Sequence, residues 1–215
     1  MKSVFTLFLL HASFLLFSQN SIRAAGAVSP LAIFSSEWNQ VKYSKCNTAV
    51  NAAYLSKSEK EVIYILNLIR TYPALFARTV LKQYPGLSGN GYLADDTYYY
   101  KSLVDTLLLL QPMNMLYPDK SCFNSAKSHA YQSGISGYVG HERKTPDSKL
   151  KKHYYGECCD YGRKDALEIV LSLLIDEGIP SLGHRDICLS SYTKVGVSIQ
   201  PHKKYGTNAV LDFIY

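Results

Sequence analysis

The chain has 215 residues, a formal net charge of +6, 47% hydrophobic residues and 18 tyrosines. This composition is typical of a globular protein and excludes a disordered or low-complexity chain. The basic residues are scattered, apart from a polar stretch that carries Arg143, Lys144, Lys149, Lys151 and Lys152. No nucleic-acid-binding module is recognisable, so we expect this stretch to be a solvated loop and the protein to have no nucleic-acid partner.

The first 27 residues have the pattern of a secretory signal peptide. Lys2 precedes an apolar run from Val4 to Phe17, and Ala25-Gly26-Ala27 offers a small-residue cleavage site. The run is shorter than the roughly 18 residues that a membrane-spanning helix needs. We therefore predict that residues 1–27 are removed and that the protein is secreted, to the extracellular space or cell envelope, without a transmembrane segment. A retained N-terminal anchor is the alternative.

The remaining residues are enough for one domain. Residues 28–57 lack a periodic pattern and are predicted to be an N-terminal extension, with Trp38 docked on a domain that spans 58–215. Ser58 and Glu61 have the spacing of a capping box, which predicts a helix that Pro73 ends or kinks. Three further helices and a terminal hairpin of two alternating strands are expected, at about 95–110, 118–134, 165–175, 193–200 and 209–215. Helices first and an antiparallel pair last indicate the α+β class.

The region after the signal contains five cysteines, which in an exported chain are disulfide candidates before they are metal ligands. Adjacent cysteines do not readily bond to each other, so Cys158 and Cys159 are expected to seek different partners. We predict that one of these two bonds to Cys188, and that Cys46 bonds to Cys122. A zinc site made from Cys158, Cys159 and Cys188 is the alternative.

Two histidines and two acidic positions form the candidate site. They are His141 after Gly140, Glu157 after Gly156, the pair Asp176-Glu177, and His184 after Gly183. None has the spacing of a metal site on a single helix, so only the fold could bring them together. Two imidazoles and two carboxylates can hold a divalent cation or share protons. Four unrelated polar residues are the alternative explanation.

Five short segments carry a recognisable pattern. They are Leu66-Asn67-Leu68-Ile69-Arg70, Ser128-His129-Ala130 with Gly140-His141, Gly156-Glu157, Gly183-His184-Arg185, and the stretch from Tyr192 to Val197. In this order they resemble the CAP superfamily, which comprises the cysteine-rich secretory proteins, antigen 5 and the pathogenesis-related proteins. The bacterial, SCP-like branch is the more similar one, and the resemblance covers roughly residues 58–215.

This resemblance implies a three-layer α-β-α sandwich with a central, mainly antiparallel sheet and a large cleft. It implies that the cleft is lined by His141, Glu157, an acid near the end of a long helix, and His184. For that acid we prefer Asp176 to Glu177. Cys158 stands where the family has an asparagine, and Cys188 occupies a normally aliphatic position, so the two together suggest a disulfide particular to this chain.

The resemblance implies a secreted binding or interaction module, whose cleft takes a divalent cation and an extracellular peptide, lipid or sterol, or glycan. His141 and His184 are the metal-ligand candidates, for weakly bound Zn²⁺. The rival interpretation is a zinc-dependent, peptidase-like hydrolase with Glu157 as its general base. A third possibility is a structural protein that leaves the cleft unused. No residue is an assured catalyst, since a third strong zinc ligand is not evident.

Overall fold

A computed structural model describes residues 28–87, 89, 97–143 and 154–215 of the chain. Six α-helices and four β-strands lie in these ranges, joined by short 3₁₀ and π turns. In chain order they are α1 Lys57–Thr71, α2 Pro73–Phe76, α3 Tyr98–Leu109, β1 Tyr117–Pro118, α4 Lys120–Ser136, β2 Gly156–Tyr161, α5 Ala166–Ile175, α6 Gly183–Cys188, β3 Lys194–His202 and β4 Gly206–Ile214.

The four strands form one sheet in the order β1-β3-β4-β2, so that β2 lies at an edge. The hairpin of β3 and β4 is antiparallel, with Lys194 opposite Ile214 and His202 opposite Gly206. Strand β2 pairs antiparallel with β4, and the short β1 pairs parallel with β3. The predicted terminal hairpin is thus present, and the sheet is mainly antiparallel.

Helices cover both faces of this sheet. Helix α4 packs along β3 and β4 on one face, while α1 packs against β3, and α5 and α6 against β2, on the other. The larger core lies between the sheet on one side and helices α1 and α5 on the other. It includes Val195, Val197 and Leu211. A smaller cluster under α4 contains Ala126, Ala130, Cys159 and Val210. The α+β class and the sandwich architecture expected from the sequence are confirmed.

Helix α1 begins two residues earlier than the sequence pattern suggests. Its capping box uses Ser56 and Glu59: the Ser56 hydroxyl accepts from the Glu59 backbone N–H, and the Glu59 carboxylate accepts from the Ser56 N–H at 2.7 Å. The predicted pair of Ser58 and Glu61 has the same spacing but falls inside the helix. Glu59 is preferred because its second oxygen also accepts from the Ile199 N–H of β3, at 2.9 Å.

The N-terminal segment from 28 to 56 contributes to the same core as the helices. It contains two 3₁₀ helices, Ser36–Asn39 and Val41–Cys46. Trp38 is fully buried, and its indole N–H donates to the Thr79 hydroxyl at 2.9 Å. The docking that the sequence suggests for Trp38 is therefore present.

The predicted disulfides are not formed, because all five cysteines are unbonded. Cys158 lies closest to the expected arrangement, with its Sγ 3.9 Å from Cys188 Sγ. This separation is far beyond the S–S bond length of about 2 Å. Cys46 packs in the larger core and Cys122 is buried in the first turn of α4, and no disulfide joins them.

Two sequence predictions concern residues outside the described ranges. The helix expected at about 95–110 begins at Tyr98 with Thr97 as its N-cap residue, and positions 95 and 96 lie outside the described part of the chain. The lysines of the basic loop, 149–152, also lie outside the described part of the chain. Arg143, by contrast, is described and is buried, so it does not belong to a solvated basic loop.

Candidate functional site

Glu157 lies on strand β2, an element that was not expected from the sequence. Side chains alternate between the two faces of a strand, so Glu157 and Cys159 point to the α4 face, while Cys158 points to the opposite face. Glu157 is 7% exposed, and its strand partner is Asp212 of β4. The edge position of β2 places this carboxylate beside the segment that follows α4 and carries His141.

His141 and Glu157 form the first of two histidine–carboxylate pairs. The His141 Nδ1 atom is 3.0 Å from Glu157 Oε1. An ionised carboxylate only accepts, so His141 donates from Nδ1 and its Nε2 atom is left with a lone pair. The hydrogen bond to Glu157 raises the pKa of His141, against the opposing effect of burial.

His184 and Asp176 form the second pair, with 2.7 Å between His184 Nδ1 and Asp176 Oδ1. Asp176 has a left-handed backbone (φ 56°) at the C-terminal end of α5, a conformation that aspartate tolerates better than most residues. Its other oxygen accepts from the backbone N–H of His184 at 2.9 Å. Asp176 thereby fixes the His184 ring and the start of α6, whereas Glu177 is exposed.

The two imidazole rings face each other across a short gap. Their centroids are 5.8 Å apart, with an angle of 37° between the ring planes. His141 arrives from the segment after α4, and His184 comes from the first turn of α6. Two neutral imidazoles with free Nε2 atoms are suitable donors for a zinc ion, and each is oriented by a carboxylate on its other nitrogen.

A buried ion network lies behind Glu157, and no sequence motif marks its other members, Arg143 and Asp212. The Arg143 guanidinium contacts Glu157 Oε2 and lies 2.9 Å from Asp212 Oδ2. Its Nη1 donates to the Ser125 carbonyl at 2.7 Å. Burial opposes ionisation of Glu157, but His141 and Arg143 together lower its pKa below the ordinary value. Burial and the nearby Glu157 raise the pKa of Asp212 to about 8, with Arg143 opposing.

His129 also lies beside this network. It is 4% exposed, as expected for a packed histidine, and its Nε2 donates to the Gly140 carbonyl at 2.9 Å. The same nitrogen is 3.9 Å from Glu157 Oε1. Burial lowers the pKa of His129, although Glu157 acts in the opposite direction. The burial of His129 could have been predicted from the sequence, because helical spacing places it on the same face of α4 as Ala126 and Ala130.

Both histidine pairs open into a cleft of about 720 Å³. Its apolar side chains come from α5 and neighbouring segments, and its polar ones come from β2, α5 and the loops. The lining includes Val139, Leu173, Ile179, Tyr84, Tyr205 and Arg163. A cleft of this size and mixed character suits a small ligand or one segment of a larger one.

These features define an α+β domain that presents paired histidines and carboxylates in a cleft at the edge of its sheet. Residues 109–213 match the model of the cysteine-rich secretory protein family, CAP. This match covers just under half of the chain and supports the CAP resemblance that the sequence motifs indicated. The matched segment contains His141, Glu157, Asp176 and His184.

Other comparisons add little to this assignment. No curated protein matches the chain. The solved structure of an outer surface protein from Borrelia burgdorferi is 20% identical, over an alignment that covers 47% of this chain and 77% of that one, with a TM-score of 0.38. Among the described residues, no helix is both long and apolar enough to cross a membrane.

Proposed function

We propose that this protein is an exported CAP-domain binding module. Its cleft takes a divalent cation at His141 and His184, and an extracellular peptide, lipid or glycan next to it. The single observation that carries the proposal is the pairing of each imidazole with a carboxylate through Nδ1, which leaves both Nε2 atoms available. Export is proposed from the signal-peptide pattern of residues 1–27 and accords with the secretory character of the family.

The donor set suits Zn²⁺, because imidazole nitrogens bind it well and the carboxylates hold the rings in one orientation. Such an ion, when bound, would act as a Lewis acid toward a polar group of the ligand. Two protein ligands give a weaker site than the three or four of typical zinc proteins. A weak, open site is consistent with a cation that helps to hold a ligand in the cleft.

A zinc-dependent hydrolase is not favoured by the geometry around Glu157. A general base needs an oxygen within reach of the attacking water. Here the carboxylate is almost fully buried, Oε2 contacts Arg143, and one lone pair of Oε1 accepts from His141, so little of the group faces a water in the open cleft. Its lowered pKa also makes it a weak base near neutral pH.

The test is a calorimetric zinc titration of the protein and of His184→Ala. We expect binding in the micromolar range or weaker at the His141/His184 position, and loss of this binding event in His184→Ala. Asp176→Asn should weaken it about tenfold or more, because the ring loses the carboxylate that orients it. Glu177→Gln is the matched control, since it removes an exposed neighbouring charge and should leave affinity unchanged.

An equal zinc isotherm for the protein and for His184→Ala would contradict the proposed cation position. A ligand screen with peptides, lipid vesicles and glycans then tests the cleft separately. Substitution of a residue that lines the cleft, such as Tyr205→Ala, should weaken the binding of a ligand there. If none of these ligands binds, the binding-module proposal itself is wrong.

A further inference from the structure

A second group of metal-ligating side chains lies deeper than the two facing histidines. Strand alternation places Glu157 and Cys159 on the face of β2 that α4 covers, and α4 contributes His129. All three residues are buried. One donor atom of each lies within 4.8 Å of the other two, and no other group of three was found among the described residues.

The donor atoms of these three residues are only slightly farther apart than the ligand atoms around a bound ion. His129 Nε2 is 3.9 Å from Glu157 Oε1. The ligand atoms around a tetrahedral zinc ion are about 3.5 Å apart. His141 Nδ1 lies at the edge of the group, 3.0 Å from Glu157 Oε1 and 3.7 Å from Cys159 Sγ. Small side-chain movements are therefore enough to bring the three donors onto one ion.

We propose that His129, Glu157 and Cys159 form an inner binding site for a borderline-soft divalent cation of the zinc class. The ligand atoms are His129 Nε2, Glu157 Oε1 and Cys159 Sγ, and a water completes the coordination. This site goes beyond the proposed function and does not depend on it. His184 takes no part in it, and Cys159 takes no part in the outer position.

The chemistry of the donors selects the cation. A thiolate with an imidazole and one carboxylate oxygen favours Zn²⁺ or Co²⁺ and disfavours Mg²⁺ and Ca²⁺, which require oxygen ligands. Cys159 and His141 both line the cleft, so an ion can reach the inner site from there. Adjacent Cys158 is excluded, because it points to the opposite face of the strand, toward Cys188.

Binding of the ion changes the protonation of Cys159 and the hydrogen bond that His129 makes. The Cys159 thiol releases its proton to solvent, because the thiolate is the form that ligates metals. The His129 proton moves from Nε2 to Nδ1, and the Gly140 carbonyl then loses that donor but retains the Tyr161 hydroxyl at 3.5 Å.

Glu157 can bind the ion without giving up its other contacts. Its Oε2 atom remains with Arg143, and Oε1 has a second lone pair for the His141 N–H. His141 therefore becomes a hydrogen-bond partner of a ligating carboxylate, and its Nε2 remains available to the outer position.

The experiment is a Co²⁺ titration of the purified protein with its thiols reduced, followed by absorption spectroscopy. Thiolate ligation produces a near-ultraviolet charge-transfer band, and a four-coordinate site produces intense visible bands. We expect both to saturate at one equivalent and to be displaced by Zn²⁺. Cys159→Ser should abolish the near-ultraviolet band, and His129→Gln should weaken Co²⁺ binding at least tenfold.

Cys158→Ser is the matched control, since it changes the adjacent buried cysteine on the other face and should retain the band. His184→Ala should also retain it while removing the outer binding event, so the inner and outer sites can fail separately. A band that survives in Cys159→Ser but disappears in Cys158→Ser or Cys188→Ser would place the metal at the other cysteine pair and overturn the proposal.

Zinc-edge X-ray absorption of the unsubstituted protein gives a test that needs no variant to fold. At one equivalent of Zn²⁺ we expect one sulfur neighbour at about 2.3 Å, with the remaining neighbours nitrogen or oxygen. A first shell with nitrogen and oxygen alone would overturn the inner site, whatever the result at His184.

Discussion

Cys158 and Cys159 are adjacent in sequence but lie in different environments, because successive side chains of a strand point to opposite faces. Cys158 faces Cys188 and the larger core, whereas Cys159 faces His129 and His141. Burial raises the pKa of both thiols well above the ordinary value. The sequence predicted that the two cysteines have different partners, but it could not say which faced the site.

The adjacent acids Asp176 and Glu177 also lie in different environments. Asp176 adopts the left-handed conformation that ends α5, and this turns its carboxylate toward the His184 ring and backbone. Glu177 follows in the exposed turn. The preference for Asp176 rested on family resemblance and helix position, and the geometry provides a physical reason for it.

Glu157→Gln should lower the pKa of His141 toward the ordinary histidine value of about 6.5, because a neutral amide replaces the carboxylate that raises it. Proton NMR titration of the imidazole ring measures this shift. Asp176→Asn is the control and should leave the His141 pKa unchanged. An unaltered His141 pKa in Glu157→Gln would show that the carboxylate is not its partner in solution.

The same raised pKa gives the His141–Glu157 pair a pH-dependent effect on stability. Because the folded-state pKa of His141 is above the unfolded value, the contribution is complete below about pH 6.5 and is lost as the pH rises through the raised pKa. We expect His141→Gln to destabilise the fold more in mild acid than at alkaline pH. Urea unfolding on both sides of this window measures the difference, and a pH-independent difference would contradict the prediction.

At the scale of elements, α4 lies close against the sheet because two glycines lack side chains at the contact. A Cβ atom at Gly196 of β3 would collide with the backbone of Cys122 and Phe123, and one at Gly134 of α4 would collide with the Pro201 carbonyl. This close approach holds α4, and therefore His129, against the Glu157 face of the sheet.

Gly196→Ala should destabilise the protein by about 3 kcal/mol or more, since α4 must move away from the sheet to admit the methyl group. Chemical denaturation measures the change in free energy of unfolding. Gly86→Ala is the control: no atom lies within 4 Å of its added Cβ. We expect a change below about 0.5 kcal/mol for it. Similar values for the two variants would mean that the close packing does not persist in solution.

The start of α1 provides a test of the corrected capping box. Ser56→Ala should cost about 1 kcal/mol, because it removes the hydroxyl that accepts from the Glu59 N–H. Ser58→Ala, at the position that sequence spacing suggests, should change stability by no more than a few tenths of a kcal/mol. Thermal and urea unfolding of the two variants separate the alternatives, and a larger loss in Ser58→Ala would restore the assignment made from spacing.

At the scale of the whole molecule, residues from the N-terminal segment complete the larger core. Leu31, Trp38 and Tyr43 are buried together with side chains of α1 and α5. Arg70 connects distant parts of the chain in a similar way: its buried guanidinium donates to the carbonyls of Asn114, Cys188, Ser190 and Tyr192. The segment that carries His184 is therefore tied to α1 as well as to Asp176.

Trp38→Ala should destabilise the protein by about 3 kcal/mol or more, because it leaves a large cavity and removes the indole N–H that donates to the Thr79 hydroxyl. Val41→Ala, in the same segment but 86% exposed, is the control. It should cost less than about 0.5 kcal/mol. Differential scanning calorimetry measures both. A negligible effect of Trp38→Ala would show that the segment does not contribute to the folded core.

The sequence by itself determined the elements that depend on local chemistry: the hairpin from its alternation, α5 over about 165–175, and α4 up to about residue 134, two residues short of its observed end at Ser136. It also supplied the family motifs. Strand β2 and helix α6 were missed, because six residues each give too little periodicity to distinguish a strand or helix from a loop.

Only the tertiary structure decided which side chains meet. Sequence patterning places Arg143 in a solvated loop, but it is buried between Glu157 and Asp212, and His129 joins Cys159 because α4 packs on the face of the sheet to which Cys159 points. These contacts join residues far apart in the chain, and their energies depend on desolvation and interatomic distance. Neither quantity is encoded in local spacing, which is why the sequence identified candidate ligands while the fold arranged them into an outer and an inner group.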